Sequence, residues 1–90
     1  MPKVELTPEI ADEAPWSERL TDYDMTHLVV YLRLLDASAE QADPDEMSLI
    51  VLGIDPQREP ARAKTALDSH LRRARWMETA GYRHLLRRDD

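Results

Sequence analysis

"DPDEMSLIVLGIDPQREPARAKTALDSHLRRARWM", Asp43 to Met77, reads as a short helix, a stiff turn and a longer helix. Asp43 is a favourable N-cap, Pro44 suits the first helical position, and Asp45 and Glu46 sit where the helix dipole is positive. Met47, Ile50 and Val51 share one side at helical spacing. Gly53 supplies a left-handed stop. The run SLIVLGI also suits a strand, but the N-cap and the glycine stop favour a helix. "IDPQREP" is a turn stiffened by Pro56 and Pro60. From about Pro60 to Thr79 the spacing predicts a third helix with Ala63, Leu67, His70, Ala74 and Met77 on one face. Ala66 and Leu71 lie at its margins, with Lys64, Asp68, Arg72 and Arg75 opposite.

Upstream, Thr21 and Asp24 resemble a capping box, with Asp in place of the usual Glu or Gln. Met25, Leu28, Val29, Leu32 and Leu35 then predict an amphipathic helix from about Asp22 to Glu40, its apolar face widened by Tyr31 and Leu34. Downstream, Gly81 ends the third helix, and "YRHLLRR" predicts a short C-terminal helix that closes the core with Leu85 and Leu86. Residues 1–20 contain Pro2, Pro8 and Pro15 and the acids Glu5, Glu9, Asp12, Glu13 and Glu18. That mixture predicts a flexible acidic tail from which Trp16 and Leu20 can dock. The expected architecture is all-α: a tail at 1–20, then a domain at 21–88 with three main helices and a short C-terminal one. Its second and third helices form a helix-turn-helix outline. The turn, Gly53 to Glu59, is extended beyond the usual length of about 3–4 residues.

The chain has 90 residues, enough for one domain with a modest core. With 42% hydrophobic and 33% charged residues it is expected to fold. It has no cysteine, which excludes thiol chemistry and disulfides and fits a cytoplasmic protein. The sequence has neither a membrane-length apolar run nor a signal-peptide pattern.

The formal net charge of −6 is unevenly distributed. Residues 1–59 hold 14 acids and 4 bases, a net of −10, and residues 60–90 hold 4 acids and 8 bases, a net of +4. A net acidic chain is poorly suited to phosphate, whereas an acidic surface beside a basic one suits a protein with complementary patches.

Arg72, Arg73 and Arg75 have two readings: binding of phosphate or carboxylate, or a solvated helix end that complements the dipole. Trp76 falls on the side of Arg62, Ser69, Arg72 and Arg73, away from the Leu67 face. There it is either an anchor for a partner or a ring covered by the tail or the terminal helix. His27, His70 and His84 lack zinc-ligand spacing, and "DPDE" lacks a calcium-loop pattern, so neither a metal nor another cofactor is expected. With no phosphate-cradling loop or nucleophile elbow, an enzyme is the least favoured class.

The segments "LTDYD", "HLVVYLRLLDA", "VLGIDP", "DSHLRRARWM" and "GYRHLL" together resemble a proteobacterial family of extended-turn helix-turn-helix domains encoded on integrative and conjugative elements. The resemblance spans roughly Leu20 to Leu86. As a short, acidic, stand-alone chain, this one is similar to the QseM-like antiactivators of that family. The resemblance implies a copy of an activator's C-terminal domain. Such a copy occupies the activator's N-terminal domain in trans and blocks element excision and conjugative transfer, with a LuxR-type quorum-sensing regulator as a further partner. Charge agrees. Asp43, Asp45, Glu46, Asp55 and Glu59 surround the turn against Arg58, Arg62 and Lys64, an unfavourable balance for nucleic acid. The expected partner surface is Arg72, Arg73, Arg75, Trp76, Tyr82 and Arg83. The alternatives are a regulator that reads DNA directly with the third helix, and an acidic DNA mimic that uses the five acids.

Overall fold

A computed structural model describes residues 3–81, so the expected C-terminal helix and its Leu85 and Leu86 lie outside the described residues. Four helices follow one another: α1, Asp22–Thr26; α2, Leu28–Ala39; α3, Pro44–Met47, continued by a π turn over Ser48–Leu52; and α4, Pro60–Trp76, continued by a π turn over Met77–Gly81. The described residues are all-α, with SLIVL helical rather than extended. None of these helices is long and apolar enough to cross a membrane.

Thr21 starts α1 with a complete capping box: its Oγ1 accepts from Asp24 N, and Asp24 Oδ2 accepts from Thr21 N. The helix expected to run unbroken to Glu40 is interrupted at His27, which takes φ −102°, ψ 18°. One ring nitrogen, Nδ1, lies 2.7 Å from the Tyr23 carbonyl a turn earlier; the other, Nε2, lies 2.7 Å from the Glu9 carbonyl of the N-terminal segment. A side chain that shares the i−4 carbonyl and is also held from outside the helix re-aims the chain at that point.

The buried face of α2 is also rotated from the expected one. Val30, Tyr31 and Leu34 are at most 2% exposed, whereas Leu32 is 61% exposed and Leu28 and Leu35 are half-buried. The reason is that α2 serves two clusters at once. Val30 and Leu34 meet Met47, Leu52, Ile54, Ala63, Ala66 and Leu67. Tyr31 turns towards Ala74 and Met77, with Leu28 and Leu35 at the edge.

In the second helix, π winding sets the phase. Each turn there takes in an extra residue, so Met47 and Leu52 face inward while Ile50 is 70% exposed. Gly53 then ends the segment at φ 71°, ψ 23°, a left-handed conformation that suits glycine. Seven residues, Gly53 to Glu59, lead to Pro60 at the first position of α4. On α4, Ala63, Leu67, His70, Ala74 and Met77 are buried and Lys64, Asp68, Arg72 and Arg75 exposed, as the spacing predicts.

The end of α2 is closed by two bonds, Gln41 N to Ser38 O (3.0 Å) and Ala42 N to Ala37 O (2.9 Å). This Schellman pairing places Gln41 at φ 60°, where a glycine is usual. Gln41→Gly relieves the Cβ clash of that conformation and is expected to raise stability by about 0.5–1 kcal/mol, read as a higher urea midpoint. An unchanged or lower midpoint contradicts this assignment of strain.

Candidate functional site

Residues expected as a tail form an extended strap across α1 and α4, held mainly through its backbone. Glu5 N donates to Thr26 O at 3.0 Å. Ala11 N donates to Tyr23 Oη at 3.1 Å, and Ala14 N to Ser69 Oγ at 2.9 Å. The Glu9 carbonyl faces His27, and the carbonyls of Ser17 and Arg19 accept from Arg73. Few strap side chains are inserted. Pro8 and Ala14 are buried, Ile10 packs at the edge of the larger core cluster, and Asp12 pairs with Arg62 Nε at 2.6 Å.

Arg73, expected on the partner-facing surface, is instead fully buried. Its Nε donates to Asp24 Oδ1 at 2.9 Å and its Nη2 to Asp24 Oδ2 at 2.6 Å, a bidentate pair in which both side chains are inaccessible. Tyr31 Oη also donates to Asp24 Oδ1 at 2.9 Å. Burial alone raises the Asp24 carboxyl, but the bonds from Arg73, Thr21 N and Tyr31, with the Arg73 charge, outweigh it and hold Asp24 below its ordinary range. One guanidinium therefore joins the capping box, α4 and the strap. The cap motif points to Asp24 in the sequence, but no local pattern marks it as the partner of a residue 49 positions away.

Arg72, Arg73 and Trp76 gather around Trp16 of the strap. The Trp16 and Trp76 rings meet edge-on with centroids 6.1 Å apart. The Arg73 guanidinium carbon lies 3.8 Å from the Trp76 centroid and 5.0 Å from that of Trp16. Arg72 stacks 5.4 Å from Trp16 on the outside. Trp76 is half-buried, so the strap covers part of the ring while Trp16 remains 52% exposed. Arg75 stands apart on the far edge, donating to Ser38 Oγ at 3.0 Å. Tyr82 and Arg83 lie outside the described residues.

The imidazoles are packed rather than free. Tyr23 Oη accepts from Ala11 N and hydrogen-bonds His70 Nε2, while His70 Nδ1 lies 2.7 Å from Ala66 O. A neutral His70 that donates from Nδ1 to Ala66 O can accept from the tyrosine hydroxyl at Nε2. Burial pushes His70 down; the Ala66 carbonyl opposes this, His27 adds to it, and the net direction is down from 6.5. Above that value the ring is neutral in both folded and unfolded chains, and its contribution to stability is complete. As pH falls below it, the unfolded chain takes up the proton first, and stability is lost. The urea midpoint is therefore expected to drop between about pH 7.5 and about pH 5.5, and His70→Gln to shrink that drop. An equal drop in both proteins contradicts the assignment.

At the other end of α4, a cleft of about 410 Å3 lies between α3 and the start of α4, lined by Asp45, Lys64 and Asp68 among others. Lys64 is paired with Asp68 at 3.1 Å, and Arg62 bridges Asp12 and Glu59. Asp43, Asp45, Glu46 and Glu59 are exposed. Asp43 makes no side-chain bond to the helix it precedes, although its identity suits a cap. Asp55 accepts from Gln57 N at 2.9 Å and so helps to build the turn. Among the described residues, no cluster of His, Cys, Asp or Glu could hold a metal ion. No protein-family model matches the chain, and no curated protein matches it.

Proposed function

We propose that the chain is an antiactivator. It binds the N-terminal domain of a transcriptional activator and so represses excision and conjugative transfer of a mobile element, without itself binding DNA. In this reading α3 with its π turn, the Gly53–Glu59 turn and α4 are an extended-turn helix-turn-helix copied from the activator and put to protein binding. The partner surface is the exposed part of the Arg72, Arg75 and Trp76 group. Arg73 contributes by fixing the backbone beneath it.

The observation that carries the reading is the charge at the start of α4. In a DNA-reading domain this end enters the major groove between two phosphate backbones. Here Arg62 and Lys64 are both paired with carboxylates of the same chain, beside the exposed Asp43, Asp45 and Glu46. Each exposed pair contributes little stability, but together they cancel the positive field that DNA binding requires. A fluorescent duplex titrated with the protein at low and moderate salt is expected to give no saturable binding. A steep salt-dependent affinity, lost when Arg62 and Lys64 are neutralised, favours the direct DNA-binding reading instead.

A further inference from the structure

The strap is recognised in a way that another peptide could satisfy. Its backbone is held at Glu9, Ala11, Ala14, Ser17 and Arg19 by side chains from α1 and α4 or the residue that follows α1, namely His27, Tyr23, Ser69 and Arg73. Contacts to main-chain atoms do not depend on which side chains the peptide carries. Besides Pro8 and Ile10, which pack against the domain, selectivity rests on three positions spaced two apart. Asp12 meets Arg62, Ala14 is enclosed at 5% exposure beside Ser69, and Trp16 lies against Trp76 and under Arg72. An acid, a small residue and an aromatic carry these side-chain contacts, from a segment that bends at Asp12–Glu13. The charge agrees where the strap lies: Arg62 takes the strap's Asp12, and Arg72 stacks on its Trp16.

We propose that the groove between α1 and α4, lined by Tyr23, His27, Ser69, Arg62 and Arg73, is a peptide-binding site. It takes an extended acidic segment of a partner protein, of the pattern acid-x-small-x-aromatic, in place of the chain's own strap. The strap is then a tethered competitor. Its local concentration is in the millimolar range for so short a connection, so it lowers the apparent affinity for every peptide in trans. Displacing it removes Trp16 from both Trp76 and Arg72. The inference stands on the strap's contacts and does not depend on whether the partner is a transcriptional activator.

The test uses the full-length chain and a labelled peptide of residues 5–20, ELTPEIADEAPWSERL. In the Ala14→Arg chain the strap's enclosed position is overfilled, which frees the groove for a peptide that retains alanine. Labelled peptide is expected to bind that chain at least about tenfold more tightly than the wild type, because the tethered competitor is weakened. The same peptide with Ala14→Arg, and a scrambled peptide of equal charge, should both bind at least about tenfold more weakly than the native peptide. Asp12→Lys, at an exposed position, weakens the strap without touching the core, and it serves if Ala14→Arg impairs folding. It is expected to give a gain of a few-fold. Equal binding by wild type and both variants, or by the native and scrambled peptides, overturns the proposal. Dimerisation of the variants that excess native peptide dissolves assigns the groove to strap exchange between copies, which overturns the choice of a partner's peptide.

Discussion

Replacing Arg73 with alanine is expected to destabilise the protein by about 3–5 kcal/mol, because it leaves the Asp24 carboxylate buried without its counter-charge. For a domain whose total stability is on the order of 5–15 kcal/mol, that is a large fraction. It corresponds to a fall in melting temperature of at least about 12 °C. The same change releases the Ser17 and Arg19 carbonyls, so amides in the strap should exchange faster than those of α2. A double-mutant cycle separates the pair from its surroundings. Asp24→Ala alone strands the guanidinium, but the double variant strands neither charge, so its loss should be well below the sum of the two singles. Additive losses contradict the account of Arg73 and Asp24 as one coupled unit. The acid limb follows the same logic. Asp24 is held below its ordinary range in the folded chain, so its contribution is present above the unfolded carboxyl's titration and disappears as pH falls through and below it.

The second large effect is at Leu34, which is fully inaccessible at the meeting of α2, α3 and α4. Leu34→Ala removes a packed side chain and leaves a cavity, with an expected loss of about 2–5 kcal/mol. Leu32→Ala, at a side chain 61% exposed, should change stability by no more than about 0.5 kcal/mol. The contrast matters because Leu32 lies on the stripe that helical spacing selects. Comparable losses at the two positions contradict the observed rotation of α2.

These two residues also mark where the sequence is informative and where it is not. The stripe Ala63, Leu67, His70, Ala74 and Met77 was legible because α4 is long and has one apolar side. The capping box at Thr21 and the glycine stop at Gly53 were legible because their chemistry acts within a few residues. The break at His27 was not, since one of its two causes is the Glu9 carbonyl 18 residues away. Nor was the phase of the second helix, because a π turn inserts a residue into a spacing that the pattern counts as regular. Arg73 was misplaced for a related reason. A helix wheel puts it off the apolar face; among the described residues, the strap and Asp24 turn that side of α4 into an interior. Trp76, for which the wheel allows an anchor or a covered ring, is half-buried with Trp16 at its edge.

The strap also changes how the basic helix is understood. Its Asp12 meets Arg62, its tryptophan meets Arg72 and Trp76, and two of its carbonyls accept from Arg73. The positive side of α4 is therefore already in use for contacts with polypeptide, the same class of ligand that the antiactivator reading assigns to it.

The central claim, binding to protein rather than DNA, is tested most directly by capturing the tagged full-length protein from cells carrying the element, with and without nuclease, and identifying what is retained. The account predicts that a transcriptional activator is captured in equal amount after nuclease, through its N-terminal domain, and that no DNA is enriched. Recovery of specific DNA fragments, with every protein partner lost on nuclease treatment, would contradict it and make the chain a DNA-binding regulator.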